Sequence, residues 1–220
     1  MNEFYVFWFG VKIVGEVGVR WWRLLSGRRS RSTSHGVVRR LLLILPVVLL
    51  GALTLALRAF AAREVREQGG YLQFFVFLGL IWLVATLKAL AWLGISLVDD
   101  VVERENTAAG CAVGGAMIAG TICYAFSNFG EGETIWTTLG PAALGFVACM
   151  ALWAAYQRLS GASDAIAIDR DLLSGLRFAG MAIGSSLIIG RAMAGDYVSV
   201  EATFRDLWQQ GWPALALVAP

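Results

Sequence analysis

Two basic side chains stand where an apolar chain rarely keeps charge. Lys88 lies inside one long apolar run, and Arg177 lies near the start of another. A charge at the centre of a bilayer costs at least about 2.5–3.5 kcal/mol, so such a residue marks an ion or solute path or a buried partner unless its aliphatic stem carries the head to the interface. Arg177 is about two turns from its helix start by the 3.6-residue repeat, which favours the second description. Lys88 is deeper, and both positions stay open for it. These two form the candidate intramembrane polar site.

Other polar groups carry less. Asp99, Asp100, Glu103 and Glu105 would offer a hard cation several carboxylate oxygens, but they do not form an ordered calcium loop. Asp100 and Arg104 stand at ion-pair spacing for a helix, so a solvated, partly paired linker is expected. Cys111, Cys123 and Cys149 all fall in apolar runs without CxxC spacing, and His35 is the single histidine. They read as buried, inert thiols, and no metal site is expected. The sequence holds no HExxH, GxSxG or GxxxxGK[ST] motif. We therefore expect no catalytic residues, no cofactor and no enzyme.

Those residues need elements to hold them, and composition says which. Of 220 residues, 58% are hydrophobic and 15% charged. A soluble domain carries about 25% charged residues, so the chain reads as an all-α integral membrane protein. The net charge of +2 is too small to imply nucleic acid.

About 20 apolar residues in a helix cross the hydrocarbon core. Five runs meet this length, at about 37–61, 71–98, 107–129, 134–156 and 172–194. Phe4–Val14 has no basic region before it and is not read as a secretory signal. Residues 1–25 hold Trp21, Trp22 and Arg23, a pairing suited to the headgroup layer, and read as an interfacial helix; a helix docking a partner is the other possibility. A basic linker follows to residue 36. In the C-terminal interfacial segment 197–220, the stretch Tyr197–Trp212, with Trp208 and Trp212 beside Glu201, Arg205 and Asp206, suits a second interfacial helix, and the final PALALVAP is too short to span.

Residues 1–40 carry Lys12 and seven arginines, whereas Gly130–Glu133 carries only acids. The positive-inside rule then puts the N-terminus in the cytoplasm, and five spans put the C-terminus outside. Arg63 and Arg66 count against this orientation.

A shift of 65 residues aligns 71–131 with 134–196. Asp99 meets Asp164, Asn106 meets Asp171, Gly110 meets Gly175, Gly115 meets Gly180, and Gly130 meets Gly195. Each unit reads as apolar helix, acidic linker, cap, small-residue helix and Gly-acid turn. Asn106 and Asp171 are suited to cap their helices, because their side chains accept from free backbone N–H groups. Such a tandem repeat has its axis along the membrane normal.

The stretch ERENTAAG at Glu103–Gly110, followed by GCAVGGAMIAG, resembles the bacterial membrane family catalogued as domain of unknown function 350. The resemblance covers about Tyr71–Asp196 and leaves out the first span. It implies a bacterial inner-membrane protein with a duplicated two-helix unit, and it brings no established activity to carry over. The second unit departs from the motif, keeping only Asp171 and Gly175.

Gly110, Gly114, Gly115 and Ala119 in one unit, and Gly175, Gly180 and Gly184 in the other, repeat at helical spacing. Small residues let two backbones approach closely. These faces are expected to pack against each other or between subunits. The reading that follows is a non-catalytic subunit of a membrane complex, partnered by lipid and by copies of itself or other membrane proteins. A channel or transporter subunit is the alternative.

Overall fold

In hydrocarbon, every backbone N–H and C=O needs a partner within the protein, and a long apolar run supplies one as a helix. The computed structural model describes residues 3–26, 33–131 and 135–219. Among these the chain is all helical, and five helices are long and apolar enough to cross a membrane. Helix α1 (Glu3–Ser26) precedes the first of them, α2 (Thr33–Phe60). A short α3 (Arg63–Glu67) leads into α4 (Gly69–Trp92), and a π-helical turn (Leu97–Glu103) leads to α5 (Thr107–Phe126). Then come α6 (Ile135–Ser160), the short α7 (Ala162–Ala167) and α8 (Leu172–Met193). The last elements are α9 (Val200–Gly211) and a 3₁₀ turn (Trp212–Val218). Arg28, Arg29, Arg31 and Glu133, and the side chains of Phe4 and His35, lie outside the described residues.

Two helix ends differ from the hydropathy reading. The second span stops at Trp92, not Val98, because Gly94 turns the chain at φ +92°. Of the acids beyond it, Asp99 and Glu103 are exposed, as expected of a solvated linker, whereas Asp100 is buried. Asp100 is 4% exposed, accepts from the Ser96 N–H at 2.7 Å and pairs with Arg104 at 3.1 Å. The third span stops at Phe126 rather than Phe129. Apolar residues in a turn raise hydropathy as much as those in a helix do, which is why the runs looked longer.

The repeat is written into the backbone. Glu105 and Arg170, 65 residues apart, both take positive φ, at 52° and 57°. The next residues, Asn106 and Asp171, donate their N–H groups to Asp100 O and Ala165 O, each at 2.9 Å. At the far end Gly130 and Gly195 both take positive φ, and the two turns pair: Gly195 N–H donates to Phe129 O at 2.9 Å and Tyr197 N–H to Glu131 O at 3.1 Å. Helices α5 and α8 thus run parallel, from a cap end at Asn106 and Asp171 to a turn end at Gly130 and Gly195.

Helix α5 is central. Of its apolar window 72% is buried, against 39% for α8 and 22% for α2. The last turn of α1 docks on α2: Leu25 is buried, Trp21 Nε1 donates to Leu42 O at 3.2 Å, and the Arg39 guanidinium donates to Leu25 O and Leu24 O. A buried arginine (4% exposed) therefore satisfies carbonyls left free at a helix C-terminus.

The C-terminal segment is not wholly interfacial. Its end turns back along α8, with Gly211 beside Ile189 and Leu217 beside Gly184, and with Ala214 and Val218 buried. Seven 3₁₀ residues rise about 14 Å, as much as about nine α-helical ones. The turn carries the chain from Ile189 past Gly184 to a groove that Leu217 and Ala219 line with Gly180 and Arg177.

Candidate functional site

The parallel pair α5–α8 and its two ends hold most residues singled out above. At the cap end Asn106 is 0% exposed. Its Oδ1 accepts from the Ala109 N–H at 3.1 Å, and its Nδ2 donates to Ile166 O at 2.7 Å. One side chain therefore caps α5 and ties unit one to α7 of unit two. Asp171 caps α8 from the surface, accepting from the N–H groups of Leu173 and Ser174 at 3.2 and 2.9 Å. The Ser174 hydroxyl, then the Ser174 N–H, holds its carboxyl below the usual carboxylate range. These equivalent caps should behave differently. Asn106→Ala orphans a buried N–H and a buried carbonyl and should cost about 2–4 kcal/mol. Asp171→Ala loses an exposed cap only, about 1 kcal/mol. Thermal unfolding in mild detergent reads the difference, and equal losses would refute the cross-unit tie.

The small residues divide among three neighbours. Gly115 faces α8: a Cβ there would overlap Ala179 Cβ and stand 2.5 Å from Ala179 Cα. Gly175 faces α5, where a Cβ would overlap Ala108 O. Ala119 is fully buried. Gly110 and Gly114 face α2 instead of the repeat partner. A Cβ on Gly110 would stand 2.5 Å from Val38 Cγ1, and one on Gly114 would stand 3.5 Å from Leu42 Cδ2. Gly184 receives Leu217 at 3.0 Å. Gly180 corrects the expected internal face: it is exposed, with nothing within 4 Å of an added Cβ.

The two cations sit outside the bundle. Lys88 and Arg177 are both exposed. Because α4 ends at Trp92, Lys88 is about 6 Å from the helix end along the axis, and Arg177 about 8 Å from the start of α8. An aliphatic stem of lysine or arginine is long enough to carry its head over such a distance to the interface. Lys88 therefore lies closer to its helix end than the apolar run implied. Among the anchoring residues, Trp22, Arg23, Trp208 and Trp212 are exposed, whereas Trp21 is half-buried and bonded to α2.

Residues 34–193 match the model of the family described as Domain of Unknown Function (DUF350). The chain belongs to this family. The match starts at the first span, so α2 lies inside the DUF350 region, not outside it as the motif alone implied. The contacts of Val38 and Leu42 with Gly110 and Gly114 give the physical reason, since α2 fills the face of α5 that α8 leaves open. No curated protein and no solved structure matches the chain.

Sequence reasoning missed several buried polar ties in this DUF350 protein. Tyr124 donates to Phe75 O at 2.8 Å, and Trp153 Nε1 donates to Ser185 Oγ at 3.2 Å. Thr86 packs into Gly120. Polar side chains inside apolar runs were the available signal, but nothing local tells which of them face inward.

Proposed function

We propose that this polytopic DUF350 protein is a non-catalytic subunit of a membrane complex, assembled through α8 with copies of itself or with other membrane proteins. One observation carries the reading. The two repeat-related helices are unequally covered: α5 is enclosed, while α8 exposes Leu173, Leu176, Gly180 and Leu187 on one face. Gly180 leaves room at the centre of that stripe for another helix to come close. Lys88 and Arg177 are exposed on the single chain and so line no path within it.

The cap end gathers Arg39, Arg40, Lys88, Arg104, Arg158 and Arg177, which supports a cytoplasmic cap end. Gly180→Leu is the decisive variant. It adds bulk where the single chain has open space, so the monomer should fold, while assembly should fall by about tenfold or more, the equivalent of about 1.4 kcal/mol. Mass determination in mild detergent, with identification of co-purifying chains, reads this. A wild-type protein that is monomeric and without partners, or a Gly180→Leu protein that assembles normally, would overturn the proposal.

A further inference from the structure

At the turn end, a pocket of about 100 Å³ lies between the two paired turns, α6 and α9. Among the described residues three carboxylates line it (Glu131, Asp196 and Asp206), and no lysine, arginine or histidine does. Two of the three are engaged. Glu131 accepts from the Arg63 N–H at 3.1 Å and stands 3.8 Å from Arg66, and Asp196 accepts from the Glu131 N–H at 2.7 Å. The half-buried Asp206 has no hydrogen-bond or ion-pair partner among the described residues.

The floor holds a second, independent signal. Asn128 is 5% exposed and donates through Nδ2 to Tyr124 O at 2.5 Å. Its Oδ1 is buried with no partner, although it belongs to a residue lining the pocket. A buried acceptor costs free energy unless something donates to it or coordinates it. A buried neutral acceptor, a partnerless carboxylate and an all-acidic set of charges call for a positive guest.

We propose that this pocket binds one small monovalent cation, with Asn128 Oδ1 at its floor and the Asp206 carboxylate at its rim supplying ligand oxygens. Its size admits an alkali ion together with a few waters. A divalent ion would want several converging carboxylates, and the described residues hold no group of three or more metal-ligating side chains.

The test uses the full chain in detergent micelles. Thermal unfolding is compared in chloride salts of sodium, potassium and N-methylglucamine at equal ionic strength. One alkali ion, at about ten times its dissociation constant, should raise Tm by about 3–6 °C over N-methylglucamine. Asp206→Asn and Asn128→Leu should remove the rise, and Asn128→Asp should keep it. If Asn128→Leu fails to fold, Asp206→Asn decides, since its site is at the rim. Equal Tm in all three salts would mean that water fills the pocket and would overturn the proposal. So would a rise that survives Asp206→Asn, or a larger Asp206-dependent rise with calcium.

Discussion

Gly115→Leu should leave little folded protein in mild detergent, and even Gly115→Ala should lower Tm clearly. The reason is the approach of two backbones. A Cβ at this position would overlap Ala179 Cβ and come within 2.5 Å of Ala179 Cα, and backbone atoms cannot swing aside as a flexible side chain can. The helices must therefore separate. In lipid, helix association rests on close packing and not on escape from water, so separation forfeits the main attraction between α5 and α8. Overpacking costs about 1–3 kcal/mol where neighbours can adjust, and the alanine variant should lose at least that much. Leucine adds three more carbons in the same place and should exceed it. Fluorescence-detected size exclusion after graded heating measures both. A Gly115→Ala protein with wild-type Tm would show that the two helices stand further apart. The contrast with Gly180→Leu is informative, because the two glycines are repeat equivalents with opposite surroundings.

Gly130→Ala should be nearly as damaging, for two reasons that can be separated. The residue has φ +110°, a conformation that costs a side-chain-bearing residue about 1–3 kcal/mol. A Cβ would also overlap the carbonyl of Gly195 and stand 2.8 Å from Asp196 N, so the paired turns would have to open. Gly195→Ala is the control. It too has positive φ, at +133°, but an added Cβ meets nothing within 4 Å. Gly195→Ala should therefore lose only the backbone term, and Gly130→Ala about 3 kcal/mol or more. Amide exchange gives the local readout. In Gly130→Ala the Gly195 and Tyr197 N–H groups, which donate to Phe129 O and Glu131 O, should lose protection while the α5–α8 core keeps it. Equal effects of the two substitutions would show that the turns do not press on each other.

A helical membrane protein with five spans, a 65-residue repeat and a DUF350 motif is legible in the residues alone. Length and hydropathy are sums over a local window, so five apolar runs become five helices wherever their neighbours lie. The positions of Asn106 and Asp171 before their helices are local too, because a cap bonds N–H groups two or three residues ahead. What lay beyond a local window was not legible. Gly110, Gly114, Gly115 and Gly180 look alike in the chain, yet they meet α2, α2, α8 and open space. In water a buried face is apolar and an exposed face polar, so pattern reveals orientation. In lipid both faces are apolar, and only the arrival of a particular neighbour distinguishes them. For the same reason Lys88 looked deep until Gly94 ended its helix early, and the C-terminal segment looked interfacial until Leu217 met Gly184. The tertiary structure alone decided that α2 belongs with the repeat, that α5 is enclosed, and that α8 keeps a free face.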